Sequence, residues 1–172
     1  MATYVITIIG DDRVGLVQAL AEAVASTGGN WERSEMAELA GKFAGILEVT
    51  LPEGRAEDLA TNLRRIEDGL VVTLQRAATP VAGAPDQESV TVDLVADDRP
   101  GIVREIAAVL SRHGATIDRL DSEVSDAPMA GGQLFQCKAT IRARRGVLTA
   151  VQADLEELAG ELMVELRVAA DA

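Results

Sequence analysis

A nine-residue stretch occurs twice in this chain, and that repetition limits what it can fold into more than any other feature. Ile9-Gly-Asp-Asp-Arg-Val-Gly-Leu-Val17 is matched by Val95-Ala-Asp-Asp-Arg-Pro-Gly-Ile-Val103, with five identical positions at an offset of 86 residues. The same offset carries Tyr4, Ile6 and Ile8 onto Val90, Val92 and Leu94, and Gly28 onto Gly114. Duplication of one unit is the simplest cause. The 172 residues therefore read as two small domains rather than one medium one. Ala77 to Gln87 contains Pro80, Gly83 and Pro85, which interrupt any regular pattern. This gives a first domain over 1–76, a linker over 77–88 and a second domain over 89–172.

Periodicity predicts the same element order in each half. Tyr4, Ile6 and Ile8 alternate along a first strand, and Val5, Thr7 and Ile9 point to its other face. A helix follows, with Val17, Leu20, Ala21 and Val24 as its inward stripe and Val103, Ile106, Ala107 and Leu110 as the counterpart. Gly28 and Gly114 fall where a left-handed C-cap belongs. Two strands, Trp31–Leu39 and Phe43–Leu51, flank a turn at Gly41. A second helix is marked by Leu59, Leu63 and Ile66, and a last strand spans Leu70–Gln75. The second half repeats this with strands near 116–125 and 133–142, a helix through Leu148, Val151, Leu155 and Leu158, and a strand over 162–168. Residues 126–132 lengthen its central hairpin by about six residues. The order βαββαβ specifies an α+β, ferredoxin-like unit: a four-stranded antiparallel sheet with both helices on one face.

Charge removes several function classes. The formal net charge is −12, with 7 basic and 12 acidic residues before Pro80 and 9 basic and 16 acidic from it onward. Neither half is a hidden basic module, so direct nucleic-acid binding and anionic membrane surfaces are excluded as partners. Two Phe, one Tyr and one Trp leave little material for stacking bases. Cys137 stands alone, which rules out an intrachain disulfide framework and agrees with a reducing compartment. The first ten residues carry no basic leader, and no apolar run approaches the ~20 residues of a membrane span, so a cytoplasmic location is expected.

The repeated Asp-Asp-Arg-X-Gly segment lies where the first strand passes into the first helix. Such a helix start offers unpaired N–H groups and partial positive charge, enough to hold a carboxylate without a cationic side chain. Gly15 and Gly101 would let a ligand approach the backbone, and Pro100 suits a first helical turn. The plain alternative is a capped strand-to-helix turn. An amino acid adds an ammonium, for which Asp12 and Asn30 supply an acceptor and an amide.

With Asp12-Arg13-Val14-Gly15-Leu16-Val17 and Gly28-Gly29-Asn30-Trp31 in one half, and Asp98-Arg99-Pro100-Gly101-Ile102-Val103 and Gly114-Ala115-Thr116-Ile117 in the other, the chain resembles a tandem ACT-domain protein. A stand-alone pair of such units is most similar to the glycine cleavage system transcriptional repressor group. That resemblance implies a ligand where two modules meet. It would touch Asp12, Arg13, Val14, Gly15, Leu16 and Asn30 in one half, and Asp98, Arg99, Pro100, Gly101, Ile102 and Thr116 in the other. Val14 replaces the usual proline and Thr116 the usual asparagine, which puts equal occupancy of the two copies in doubt. The resemblance also admits a homodimer through ACT–ACT packing.

Other chemistry finds little support. Adjacent side chains of Asp11-Asp12 and Asp97-Asp98 point apart on extended backbone, which disfavours a metal or paired-acid site. His113 is expected at a helix end, Cys137 as a small buried hydrophobe, and Trp31 in the core with the option of walling a pocket. Lys138, Arg142 and Arg144 share a strand face, either as a docking patch or as a solvated strand end. No catalytic set can be assembled, and no cofactor is expected. The leading reading is a non-catalytic amino-acid-binding regulator that acts on amino-acid metabolism, glycine-related by the resemblance, or on its transcription through a protein partner. The alternative is a ligand-free interaction module, and an enzyme ranks last.

Overall fold

The structure, a computed structural model, describes residues 1–66, 69–78, 87–126, 132–159 and 164–168. The chain divides into two compact units, Met1–Pro80 and Val81–Ala172. In the first, β1 (Ala2–Asp11), α1 (Leu16–Ser26), β2 (Asn30–Leu39), β3 (Lys42–Leu51), α2 (Ala56–Arg64) and β4 (Val71–Arg76) follow in order. In the second come β5 (Gln87–Asp97), α3 (Ile102–Arg112), β6 (Thr116–Asp126), β7 (Gln133–Arg144), α4 (Leu148–Ala159) and β8 (Val164–Val168). The sheets run β2-β3-β1-β4 and β6-β7-β5-β8 with every pair antiparallel, so each unit is the α+β, ferredoxin-like fold. Most of the expected linker, residues 79–86, and the added hairpin residues 127–131 lie outside the described residues.

Alternation fills the helix side of each sheet. Ile6, Ile8, Leu47, Val49 and Leu51 are buried in the first unit, as are Val90, Val92, Leu94, Ala139 and Ile141 in the second. Leu59 and Leu63 from α2, and Val151 and Leu155 from α4, close over them. Each such side chain contributes about 1.5–3 kcal/mol by leaving water. Trp31 and Ile117 occupy equivalent places at the core margin, as expected for core residues. Cys137, 6% exposed, is a buried hydrophobe.

The first helices sit one residue differently from expectation. The buried stripe of α1 is Leu16, Leu20, Ala23 and Val24, and that of α3 is Ile102, Ile106, Val109 and Leu110, whereas Val17 and Val103 are substantially exposed. A stripe at i, i+4, i+7 and i+8 begins with the first helical residue because the preceding turn delivers that residue directly into the core. Both helices end in a Schellman motif. Gly28 (φ 73) donates to Ala25 O and Gly29 to Val24 O, and Gly114 (φ 68) donates to Ser111 O and Ala115 to Leu110 O. Between Leu39 and Lys42, Ala40 (φ 53) and Gly41 (φ 77) make the two-residue hairpin, a primed turn suited to strand twist.

Gly29 differs from its counterpart Ala115 in a way packing explains. A Cβ at Gly29 would lie 2.5 Å from Leu51 Cδ2 and 3.1 Å from Val24 Cγ1. Gly29→Ala is expected to destabilise the first unit by about 1–3 kcal/mol, read in urea unfolding from the emission of Trp31. An unchanged midpoint would contradict this packing.

Candidate functional site

Each strand-to-helix turn is built around one glycine. Gly15 (φ 87, ψ 0) and Gly101 (φ 95, ψ 2) have the angles of the third residue of a type II turn. The turn hydrogen bond is present in both copies, from Leu16 N to Arg13 O (3.4 Å) and from Ile102 N to Arg99 O (3.2 Å). Pro100 therefore occupies the second position of a turn, where its fixed φ fits, and not the first helical turn expected for it. Val14, fully exposed, holds the same position in the first copy. The glycine is required by its positive φ rather than by ligand approach.

The flanking residues are bound into the fold. Asp12 N donates to Gly41 O and Asp98 N to Gln133 O, extending the central strands by one residue. The Arg13 guanidinium donates from Nη2 to the carbonyl of Ile66 (2.8 Å), just past the end of α2. Arg99 donates from Nη2 to Leu158 O (3.3 Å) in the last turn of α4 and pairs with Glu105 Oε2 (2.8 Å). Both arginines, expected as ligand contacts, thus cap the negative end of the second helix in their own unit. Leu16 and Ile102 are buried core residues and present only their backbone.

Within its own unit, neither Asn30 nor Thr116 is brought to the turn. Asn30 pairs with Thr50 and Thr50 with Thr3, while Asp11 lies eight residues further along β1. Thr116 pairs with Arg142 and Arg142 with Ser89, with Asp97 eight residues along β5. At ~3.3 Å per residue, turn and polar residue stand more than about 25 Å apart within one unit. Within one unit, therefore, Asp12 and Asn30 do not share a site. The helix returns the chain to the far end of the sheet, and the second strand starts there.

At that far end both copies carry a β-bulge that the sequence pattern did not announce, at Glu32 between Trp31 and Arg33 and at Asp118 between Ile117 and Arg119. The bulge aims a carboxylate across the sheet. Glu32 Oε1 accepts from Thr50 Oγ1 (2.7 Å) and Asn30 Nδ2 (3.1 Å), and these bonds hold its carboxyl below the usual range. Asp118 takes Arg142 in two bonds of 2.6 and 2.8 Å, which raise the guanidinium pKa further. Lys138 is flanked across the strands by Asp93 and Asp121. The basic cluster is thus largely matched by acids, as a solvated strand face and not a free docking patch.

The two turns differ in cover. A Cβ at Gly15 would meet nothing within 4 Å, whereas at Gly101 the Arg104 guanidinium lies 3.6 Å away; the residue matching Arg104 in the first copy is Gln18. No side-chain hydrogen bond caps the start of α1 or α3. His113 caps the end of α3, and its Nε2 lies 3.0 Å from Asp154 Oδ2 on α4, a helix-to-helix bond beyond its expected helix-end role. Among the described residues no His, Cys, Asp or Glu group is placed to hold a metal ion, and no helix is long and apolar enough to cross a membrane.

A four-stranded sheet with paired helices and a glycine turn repeated in each half defines a tandem two-module α+β architecture, and sequence comparison places it. The ACT domain family models match residues 2–75 and 90–160, and the chain belongs to the ACT-domain family. Its fold is similar to that of an unknown protein from Galdieria sulphuraria, at 29% identity with a TM-score of 0.89, covering 98% of this chain and 99% of that one. It is also similar to a candidate glycine cleavage system transcriptional repressor, at 18% identity with a TM-score of 0.68, covering 99% and 98%. No curated protein matches the sequence.

Two outcomes test this geometry. Val14→Pro should stabilise the chain by about 0.4–1 kcal/mol, since a type II turn accepts proline at this position and the unfolded state loses freedom; destabilisation in urea unfolding would refute the turn assignment. Burial, and secondarily Asp93, pushes the Cys137 thiol up. Iodoacetamide should therefore modify the native chain far more slowly at pH 8 than the urea-unfolded chain, as mass spectrometry would show.

Proposed function

We propose that this chain is a non-catalytic, amino-acid-binding regulatory protein, with glycine or a related small amino acid as the first ligand to test. The observation that carries this reading is the uncapped, glycine-containing helix start present in both units and fully uncovered at Gly15. Backbone N–H groups there suit a carboxylate. In this reading the turns over residues 12–16 and 98–102 face the ligand, and because Asp12, Leu16, Asp98 and Ile102 already donate within the fold, the carboxylate takes the N–H groups of the helix start just beyond, at residues 17–18 and 103–104. Arg13 and Arg99 position the turn against the second helix rather than touch the ligand. Arg104 over Gly101 makes the second turn the weaker or more anion-selective of the two. Membership of the ACT family and the fold shared with a candidate glycine cleavage repressor support regulation of amino-acid metabolism or its transcription. A net charge of −12 favours action in the cytoplasm through a protein partner over direct contact with DNA.

A second reading, a ligand-free interaction module, is favoured by one specific fact. Three of the polar side chains assigned to the ligand are engaged within their own unit, Arg13 with Ile66, Arg99 with Leu158 and Asn30 with Glu32.

Thermal unfolding with each of the twenty amino acids separates the two. Binding to the folded chain alone should stabilise it saturably, by about 2.7 kcal/mol at a hundredfold excess over Kd. Gly15→Ala should weaken that response more than Gly101→Ala. A flat response to every amino acid at millimolar concentration would leave the interaction module as the function.

A further inference from the structure

The two sheets present the same positions on their open faces, and there the copies diverge. Across the first sheet, Ala37, Ala44, Ile9 and Val71 form one outward row from β2 to β4, with Ile46 and Thr7 in the next. Ile9 is 51% exposed, Ile46 50% and Val71 63%, and both alanines are exposed. In the second sheet the places of Ala37, Ala44 and Ile9 are taken by Glu123, Gln136 and Val95, and that of Ile46 by Lys138. The fold therefore tolerates charged and amide side chains at these positions, and folding alone does not account for the apolar row in the first copy.

From this face and its surroundings we infer that the open face of the first sheet docks a protein segment with an apolar stripe edged by lysine or arginine. One apolar row across four strands, with Ile46 beyond it in a row that also holds Glu35, Thr7 and Thr73, covers roughly 150–200 Å², far under the ~800 Å² per partner of a stable dimer. A second copy would also bring another net charge of −12 against it. Charge around the face selects the opposite partner. The two cations on it, Arg33 and Lys42, are paired with Glu48 and Asp11, and strand β2 adds Glu32 and Glu35 on the same side, so the face carries a net negative charge. An amphipathic cationic helix is the smallest element that meets both requirements. The inference does not rest on amino-acid binding, because it uses outward side chains of the first sheet and none of the turn residues 12–16.

The test uses the full chain, isotopically labelled, and a leucine–lysine peptide of about four helical turns with leucine at helical spacing. Controls are a scrambled peptide of the same composition and a leucine–glutamate peptide of the same pattern. The patterned cationic peptide should bind and shift the amide resonances of Ile9, Ala37, Ala44, Ile46 and Val71. The double variant Ala44→Gln with Ile46→Gln changes no charge and should weaken it about tenfold without altering the Trp31 unfolding midpoint. Equal binding of either control peptide, unchanged affinity of the double variant, or shifts centred on Asp93, Asp121 and Glu123 would overturn the assignment. So would a homodimer, seen by sedimentation, that the double variant dissolves, since the face would then belong to a second copy. Failure of the amino-acid screen alone leaves this result untouched.

Discussion

Each unit depends on a single backbone constraint: the central strand can enter the first helix only through a residue that turns left. Gly15 and Gly101 adopt φ 87 and φ 95, a region closed to most side chains. The residue after each glycine, Leu16 or Ile102, then falls straight into the core at 2% and 4% exposure. The arginine two positions before it reaches the end of the second helix. One tight turn thus sets the direction of the first helix, seeds the core and ties down the second helix. Because β1 and β5 are flanked by strands on both sides, an error at this turn would propagate through the whole sheet.

That constraint changes what the repeated segment means. Its identical arginine and glycine, and the backbone of its second aspartate, all have structural duties in both copies. Their retention after duplication is explained by the fold before any ligand is invoked. The ligand reading rests instead on what the turn leaves over, the uncapped N–H groups at the helix start. Side-chain chemistry there is secondary. On the proposed reading the ligand meets mostly backbone, and neighbours that differ between copies, such as Gln18 and Arg104, set the selectivity.

Much of this architecture was legible in the sequence because alternation and repetition both report on burial. Ile6, Ile8, Leu47 and Leu51 announce an inward strand face, and the spacing of Gly28 and Gly114 announces helix ends. The inward stripe of the first helices was misplaced because Val17 and Val103 fit helical spacing as well as Leu16 and Ile102. Only the geometry of the turn decides between them. The bulges at Glu32 and Asp118 had no legible signal, since a bulge is a mismatch between two strands and each strand alone looks regular. The candidate site was legible as a list of residues but not as a constellation. Asp12 and Asn30 stand 18 residues apart in sequence, and the helix between them carries the chain the full length of the sheet.

The duplication also supplies an internal control that a single domain lacks. Where the copies agree, at the turn glycine, the clamp arginine and the Schellman glycine, a structural reason is on hand for each. Where they differ without structural need, selection for something else is the simpler account. Ile46 against Lys138, and Ala37 against Glu123, occupy equivalent places on sheets of identical topology, and both sheets are complete. Glu123 and Lys138 show that solvent satisfies these positions. An exposed isoleucine row gains nothing in the folded unit by itself and carries a solubility cost. The first unit therefore combines a turn with no side chain near its glycine with the apolar open face, whereas in the second Arg104 flanks the turn glycine and the face is more polar. On the readings proposed above, recognition is concentrated in the first unit and the second is a more self-contained module.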